Sequence, residues 1–189
     1  DDGWEPIHGF RRDCDERVRE RVKALYYGEC TFVDKQIGRL LEALERLGAL
    51  EETLLLVTSD HGLELWDHGA CHKGDSKCRY RPNNEILAML RFPNRQYAGK
   101  RIEGFIQNQD FVPTILRLLG IEGPKMDGLD FMPLVRGETS SIRDHIVTGW
   151  SGGSSGIDAN VRTFDFSYSC NPYSDAPREW LFDLQNDPG

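Results

Sequence analysis

Apolar residues recur every three or four positions from about Asp15 to Leu47. This spacing predicts one long amphipathic helix, with its charged side chains on the opposite face. Asp13 or Asp15 is suited to cap the start of this helix, and Gly48 is suited to end it. Gly28 lowers the helix propensity in the middle, so the pattern is also compatible with a break there.

Two continuous apolar runs follow, Thr53–Thr58 and Glu85–Phe92. Runs without polar alternation are typical of strands buried on both faces of a sheet, which favours the parallel sheet of an α/β fold. Between these runs, residues 62–84 have no clean period and are rich in histidine, cysteine, glycine and charge. We therefore expect a long loop there, and long loops inside compact domains are usually functional.

A second, shorter helix is predicted before Gly120, which is suited to end it. Asn108 or Asp110 is expected to cap this helix, and Pro113 falls in its first turn, where a missing N–H is tolerated. Beyond it, a loop rich in glycine and proline leads to three short predicted strands, of which the last two are expected to pair: His145–Gly149, Val161–Tyr168 and Trp180–Leu184.

The order helix, strand, long loop, strand, helix predicts an α/β fold class, in which helices pack on a sheet. Ligands of such sheets bind beyond the carboxyl ends of the strands. Asp60 and His61 lie at that end of the first predicted strand, which makes them the first residues to consider for chemistry.

Composition excludes several classes of function. The 189 residues contain 39% hydrophobic and 29% charged side chains, and the mean hydropathy of -0.53 is typical of a soluble globular domain. No apolar run approaches the roughly 20 residues that a membrane helix needs. The formal net charge of -8 argues against nucleic acid as a partner, and an anionic substrate would need a local cation or metal.

The five cysteines are an odd and sparse set, which does not indicate a disulfide framework, although Cys71 and Cys78 are close enough in sequence to be bridged. The first residues, Asp-Asp-Gly-Trp, have no signal-peptide character, and both ends have the appearance of cut points in a longer protein. The compartment is therefore open, with the cytoplasm slightly favoured. The oligomeric state is open as well.

Asp60 and His61 are the candidate metal ligands. A carboxylate oxygen and an imidazole nitrogen both bind divalent cations. A turn at Gly62 would allow the two neighbouring side chains to converge on one ion. The ordinary alternative is a plain turn, in which Asp60 bonds its own backbone.

Lys73 and His68 are the candidate catalytic residues. Lys73 follows in the predicted loop and would place a cation against a transferring anionic group, where it offsets charge on the leaving oxygen. His68 would supply a second cation or an acid for the leaving group. Taken singly, a loop lysine and a loop histidine are more commonly solvated surface residues.

Three short motifs, Thr58–Gly62, Asp67–Gly69 and Lys73–Gly74, follow one another in this region. Their order and spacing resemble those of the sulfatases and the related phosphonate monoester hydrolases of the alkaline phosphatase superfamily. Flanking stretches resemble the same family in the same order, so that the resemblance extends over most of the chain: Tyr26–Gly48, Asp110–Gly120, Leu129–Glu138 and Trp180–Pro188.

The resemblance implies an alkaline phosphatase-like sheet with flanking helices. Residues 1–140 would be the carboxy-terminal part of the catalytic domain, and residues 141–189 a small β-rich segment. In the family, the positions that match Asp60 and His61 bind the active-site cation, and those that match Lys73 and His68 contact the sulfate or its leaving oxygen. Calcium is the expected ion, with manganese or zinc as alternatives, and a small-molecule or glycan sulfate ester is the expected substrate.

The family's nucleophile has no counterpart in this chain. In sulfatases it is a Cys or Ser in a C-x-P-S-R-like motif that becomes formylglycine, and no cysteine here has that context. The family's two further acidic metal ligands also belong to an amino-terminal half. We therefore expect the chain alone to be catalytically incomplete.

Two alternatives stay open. A phosphodiesterase or phosphonate monoester hydrolase of the same superfamily would use the same cluster on a different anion. A non-catalytic module would instead hold zinc in tetrahedral geometry through His68, Cys71, His72 and Cys78, although their spacing is irregular for a zinc motif.

Overall fold

The structure is a computed structural model that describes residues 14–69, 71–72, 79–151, 157–171 and 179–186, without the side chains at 72, 151, 157 and 158. The chain divides into two compact units, Asp1–Gln96 and Tyr97–Gly189, and each is described by itself. The predicted boundary after residue 140 concerns the domains of a whole protein and stays a prediction.

The first unit begins with a single long helix, α1, which spans Glu16–Arg46. Asp15 caps its start by accepting a hydrogen bond from the backbone N–H of Arg17 at 2.9 Å, and Gly48 follows its end in a left-handed conformation (φ 67°). The helix runs through Gly28 without interruption, because propensity costs of about 1 kcal/mol are easily outweighed by the turns on either side. None of its described side chains is buried, so its apolar face is not a core in the described part of the chain.

The two predicted strands exist, but the prediction of a parallel, fully buried pair was wrong. Strand β1 (Leu55–Thr58) pairs with β4 (Ala88–Arg91) in antiparallel register, Leu55 opposite Arg91, and both strands are only partly buried. A parallel pair needs a crossover that returns the chain to the starting end of the first strand. The segment between β1 and β4 contains no such crossover helix in its described part, so β4 starts where β1 finishes.

The predicted long loop contains small regular elements in its described part. Strands β2 (Glu64–Leu65) and β3 (Cys71–His72) form a short antiparallel ladder, and α2 (Arg81–Asn84) is a single helical turn before β4. Trp66 and Gly69 turn the chain between β2 and β3 with positive φ angles of 71° and 75°. Periodicity could not reveal these elements, because two-residue strands are shorter than any repeat.

The second unit has its core around two helices, α3 (Phe111–Leu118) and α4 (Met132–Arg136). The rings of Phe111 and Phe131 meet edge to face with centroids 6.0 Å apart, and Phe131 is only 1% exposed. The hydroxyl of Thr114 accepts a hydrogen bond from the backbone N–H of Phe131 at 3.1 Å. The loop before α4 is therefore fixed on α3.

Asp110 occupies the position before α3, but its side chain does not cap that helix. A 3-10 turn, Asn108–Asp110, precedes α3, and the carboxylate turns back to accept from the backbone N–H of Gln107 at 2.7 Å. It also accepts from the N–H of Leu129 at 2.8 Å and from both terminal nitrogens of Arg143, one at 2.7 Å. The predicted capping role is thus corrected in position: the Asp110 carboxylate belongs to a capping box with Gln107 at the start of the 3-10 turn, and it binds Arg143 as well. Pro113 and Gly120 lie where the sequence predicts them.

Four antiparallel strands complete the second unit in the order β5 (Ile146–Ser151), β6 (Ile157–Arg162), β7 (Phe166–Cys170) and β8 (Glu179–Asp183). The predicted pairing of the last two strands is confirmed. The predicted strand from residue 161 to 168 is divided in two by a turn, because the Thr163 hydroxyl accepts from the N–H groups of Asp165 and Phe166.

This sheet buries a polar row and exposes an apolar one. The side-chain amide of Asn160 donates to the hydroxyls of Ser167 and Ser169 at 2.9 and 2.8 Å, and all three residues are buried. A row that crosses the four strands on the pairing register is exposed instead: Val147, Val161, Tyr168 and Leu181. The buried polar groups are satisfied by one another, which removes most of the cost of their burial.

We predict that the buried ion pair between Asp110 and Arg143 contributes more to the free energy of unfolding than an exposed ion pair does. Burial alone would raise the pKa of Asp110, but the hydrogen bonds from Arg143 and from two backbone N–H groups outweigh it and lower that pKa. We expect Arg143→Ala to lower the free energy of unfolding at neutral pH by roughly 3–5 kcal/mol, because the fully buried carboxylate loses its partner. Urea denaturation measures this loss.

Arg136→Ala is the matched control, since the ion pair of Arg136 with Glu138 is exposed and contributes about 1 kcal/mol or less. Because the folded pKa of Asp110 lies below its unfolded value, its contribution is present above the unfolded pKa and is lost as the pH falls through the folded pKa. The loss in Arg143→Ala should therefore shrink in acid, below about pH 4. Equal unfolding midpoints for the two variants would contradict this account.

Candidate active site

The segment that follows β1 is held on both sides by the chain near α2 and β4. The backbone N–H of Ser59 donates to the carbonyl of Leu87 at 3.4 Å, and the N–H of Leu87 donates to the Ser59 hydroxyl at 3.2 Å. Further along, the N–H of Gly62 donates to the carbonyl of Asn83 at 3.0 Å. Asp60 and His61 lie between these two anchored points.

Glycine is the only residue type that fits at position 62. A Cβ atom built there would lie 1.9 Å from the carbonyl oxygen of Pro82 and 2.8 Å from that of Glu85, both of them backbone atoms. Real Cβ atoms do not approach so closely, and backbone cannot move aside as a flexible side chain can. The turn after the strand therefore requires close approach of two backbone segments.

Asp60 and His61 face each other through their side chains. The imidazole Nε2 of His61 lies 3.2 Å from Oδ2 of Asp60, while Oδ1 of Asp60 accepts from the backbone N–H of His61 at 3.0 Å. The other ring nitrogen, Nδ1, lies 2.7 Å from the carbonyl oxygen of Gly62. A carbonyl oxygen can only accept, so Nδ1 donates to the Gly62 carbonyl, while Nε2 faces the carboxylate, which is also an acceptor.

This geometry fits a divalent cation. A metal-binding histidine commonly donates its second ring N–H to a backbone carbonyl, which fixes the tautomer and leaves the other nitrogen for the metal. The Asp60 side chain is 84% exposed and the His61 side chain 23%, so the carboxylate is accessible to an ion. The turn alternative also holds in part, because one oxygen of Asp60 does bond the adjacent backbone.

A second Asp–His pair in the chain provides a contrast. In Asp144 and His145 it is Nδ1 of the ring that lies 2.6 Å from the carboxylate, and both side chains are more than half exposed. The hydrogen bond from His145 lowers the pKa of Asp144. Adjacent aspartate and histidine residues are therefore not sufficient for the arrangement at Asp60, where the Gly62 carbonyl selects the ring orientation.

The described residues contain no group of three or more histidine, cysteine, aspartate or glutamate side chains that could hold a metal ion. Asp60 and His61 thus supply two donors, fewer than the six to eight that calcium takes or the four that zinc takes in structural sites.

His68 lies in a second, neighbouring hydrogen-bond network. Its Nδ1 is 3.0 Å from Oε1 of Glu64, and its ring stacks on Tyr80 with centroids 3.7 Å apart and planes 7° apart. Glu64 is fully buried, and its other oxygen accepts from the side-chain amide of Asn83 at 3.1 Å. The His68 side chain is therefore fixed by a hydrogen bond and a stacking contact, unlike that of a solvated loop histidine.

Sequence reasoning missed Glu64 and Asn83. Glu64 had one available signal, since it is a charged residue between two leucines and precedes His68 by four positions. Asn83 had none, because its partner is distant along the chain.

Several predicted residues lie outside the described part of the structure. Lys73 and Cys78 are among them, as is the side chain of His72, while Cys71 is buried on β3. The role of Lys73 and the four-residue zinc site stay predictions.

Comparison with known proteins decides the family. A family model described as Sulfatase matches residues 3–121, and one described as N-sulphoglucosamine sulphohydrolase, C-terminal, matches residues 72–189. The chain belongs to the sulfatase family. The resemblance in the sequence is thereby confirmed.

Individual sulfatase relatives agree with this assignment. The chain is 32% identical over 177 residues to an arylsulfatase of Clostridium perfringens, covering 92% of this chain and 36% of the relative. It is 29% identical over 171 residues to an N-acetylglucosamine-6-O-sulfatase of Bacteroides thetaiotaomicron, covering 86% of this chain and 30% of the relative. The chain therefore spans about a third of the length of these curated relatives.

The fold agrees as well. A solved protein in complex with its substrate, D-glucosamine-2-N,6-O-disulfate, superposes with a TM-score of 0.74 at 29% identity, covering 82% of this chain and 32% of that one. This likeness confirms the α/β class and a partial sulfatase fold.

Within the described residues, no helix has the length and apolar character needed to cross a membrane.

Gly62→Ala tests the close approach of backbone in the turn after β1. We expect a destabilisation of at least about 1–3 kcal/mol, because the added methyl group meets backbone on two sides. Gly38→Ala is the control, since a Cβ on that residue of α1 meets nothing within 4 Å and alanine favours the helix by about 1 kcal/mol. Thermal denaturation followed by circular dichroism should show opposite shifts in Tm, and an unshifted Gly62→Ala would refute the packing described.

Proposed function

We propose that the full-length protein carrying this chain is a metal-dependent sulfuric ester hydrolase, and that Asp60 and His61 supply two of its metal ligands. One observation carries this proposal. His61 Nε2 lies 3.2 Å from Asp60 Oδ2, and His61 Nδ1 contacts the Gly62 carbonyl. Membership of the sulfatase family supplies the reaction class.

Within this proposal the metal ligands, Lys73 and His68 have separate roles. Asp60 and His61 hold a divalent cation, which when bound supplies Lewis-acid polarisation of the sulfate oxygens. Lys73 offsets negative charge on the leaving oxygen, and His68 gives that oxygen a proton. The remaining ligands and the nucleophile come from other parts of the protein, so the 189 residues alone would not turn over a sulfate ester.

Calcium is the proposed ion, with manganese or zinc as alternatives. An exposed carboxylate suits a hard cation, whereas an imidazole is accepted by each of the three. A glycan sulfate is the proposed substrate class, supported by relatives whose names refer to N-acetylglucosamine and to a disulfated glucosamine. Assays of the full-length protein on matched sulfate esters and phosphate diesters test this, and a preference for the phosphates would favour the phosphodiesterase alternative.

Asp60→Ala tests the metal site directly. We expect the affinity of the full-length, chelator-treated protein for added calcium to fall by at least roughly 10–100-fold, the loss typical of even an outer-shell partner. Asp144→Ala is the control, because it removes the carboxylate of another adjacent Asp–His pair. Isothermal titration with calcium measures both variants. Equal calcium affinities of the two variants would rule out Asp60 as a ligand.

The zinc-module alternative has its own test. Metal analysis that finds stoichiometric zinc in the wild-type protein and none in Cys78→Ser would favour it.

Lys73→Ala tests the proposed leaving-group cation. Turnover of sulfate esters by the full-length protein should fall by roughly 10²-fold or more, the scale of losing one charge-stabilising group. Steady-state kinetics should show the loss in kcat, since the lysine acts on charge that develops in the transition state. Lys100→Ala is the control, because the Lys100 ammonium bonds the carbonyl of Val135 in the second unit. Unchanged kcat in Lys73→Ala would remove this residue from the mechanism.

A further inference from the structure

A buried carboxylate lies behind the proposed leaving-group acid. Glu64 has no exposed surface, and its two oxygens accept from different partners, Oε1 from His68 Nδ1 at 3.0 Å and Oε2 from Asn83 Nδ2 at 3.1 Å. The amide of Asn83 is oriented by this contact, since the opposite orientation would set two oxygens against each other. A charge is stable in such a place only when it is fully hydrogen-bonded, so the three side chains depend on one another.

The ring of His68 is fixed by two contacts of different direction. The hydrogen bond to Glu64 lies in the plane of the ring, whereas the stacking on Tyr80, at 3.7 Å between centroids, acts perpendicular to that plane. The guanidinium of Arg79 lies 5.5 Å from the centroid of the Tyr80 ring, a cation–π distance. Together these contacts restrict both rotation and tilt of the imidazole, and they direct Nε2 away from Glu64.

The same network reaches the proposed metal ligands. The backbone carbonyl of Asn83 accepts from the N–H of Gly62, and the Gly62 carbonyl in turn accepts from His61 Nδ1. A continuous series of hydrogen bonds therefore runs from His61 through Gly62, Asn83 and Glu64 to His68. One asparagine, through its backbone and its side chain, connects the metal side to the acid side.

We propose that Glu64 and Asn83 are positioning residues for His68, which they hold through Nδ1 so that Nε2 faces the departing oxygen; this rests on the proposed sulfatase function. In the step concerned, the bond between sulfur and the bridging oxygen breaks and its electron pair stays on that oxygen. The oxygen takes the Nε2 proton of the imidazolium, and His68 becomes neutral, keeping its Nδ1 proton in the hydrogen bond to Glu64. The sulfuryl group passes to an oxygen nucleophile of the full-length protein.

A positioning role and a merely structural role differ in their dependence on the leaving group. A general acid matters when the departing alcohol is a poor leaving group, and contributes little when it departs readily as an acidic phenolate. A residue that only supports the fold should affect both kinds of substrate equally. The test therefore compares 4-nitrophenyl sulfate with phenyl sulfate and with glucosamine 6-O-sulfate.

Glu64→Gln in the full-length protein should lower kcat/KM for phenyl sulfate and glucosamine 6-O-sulfate by roughly 10²-fold, and for 4-nitrophenyl sulfate by a much smaller factor. His68→Ala should give the same pattern, and the double variant should be no worse than His68→Ala, because residues that act as a unit are not additive. Glu85→Gln is the control, since its side chain is exposed and pairs with Arg81. Glu85→Gln should leave kcat/KM unchanged for all three substrates.

Each outcome has a definite consequence. An equal loss on all three substrates, or additive losses in the double variant, would overturn the positioning role while leaving the sulfatase function intact. Failure of the proposed function would appear in the wild-type protein, which would then release sulfate from none of the esters, and the inference would fall with it.

A measurement on the wild-type protein covers the case in which Glu64→Gln does not fold. In ¹⁵N-histidine-labelled full-length protein, the His68 signals are assigned by their loss in His68→Gln. We expect a slowly exchanging proton on Nδ1, because that atom donates to a buried carboxylate. A neutral His68 with its proton on Nε2 and a bare Nδ1 would overturn the inference.

Discussion

The candidate site depends on one close approach between two backbone segments, at Gly62. The N–H of Gly62 bonds the Asn83 carbonyl, and the space where a side chain would stand is occupied by the backbone carbonyls of Pro82 and Glu85. This contact fixes where the strand β1 ends, and it places the Gly62 carbonyl where it orients the ring of His61. A side chain at this position would separate the segments and release both Asp60 and His61.

The value of that constraint is clear from a comparison of two of the three Asp–His pairs in the chain. Asp60–His61 and Asp144–His145 have the same two residue types in the same order, but they present opposite ring nitrogens to the carboxylate. The difference arises from the partner of the second nitrogen. At His61 this partner is a backbone carbonyl held by the anchored turn, and it assigns the proton to Nδ1. The proposed metal site is thus specified by the backbone around Asp60 and His61 as much as by these two residues.

Each unit contains a fully buried carboxylate that is hydrogen-bonded. Glu64 is satisfied by His68 and Asn83, and Asp110 by Arg143 together with backbone N–H groups. The two carboxylates serve different ends. Asp110 connects distant segments of the second unit, whereas Glu64 lies directly behind a residue for which we propose chemistry. Burial of a charge is therefore a better pointer to function when the partner is itself a titratable residue facing a site.

The sequence by itself determined the two longer helices, α1 and α3, the caps at Asp15 and Gly48, and the motifs around Asp60, His61 and His68, because these depend on neighbours within a few positions. The short helices α2 and α4 lie in stretches that the sequence predicted as loops. Only the tertiary structure decided the antiparallel pairing of β1 with β4, the ion pair of Asp110 with Arg143, and the hydrogen bond from Asn83 to Glu64. Each of these depends on partners between 19 and 36 positions away, such as Leu55 with Arg91 and Glu64 with Asn83. Local patterns carry no record of such distances, since hydrogen bonds and ion pairs select whichever partner the folded chain brings within about 3 Å.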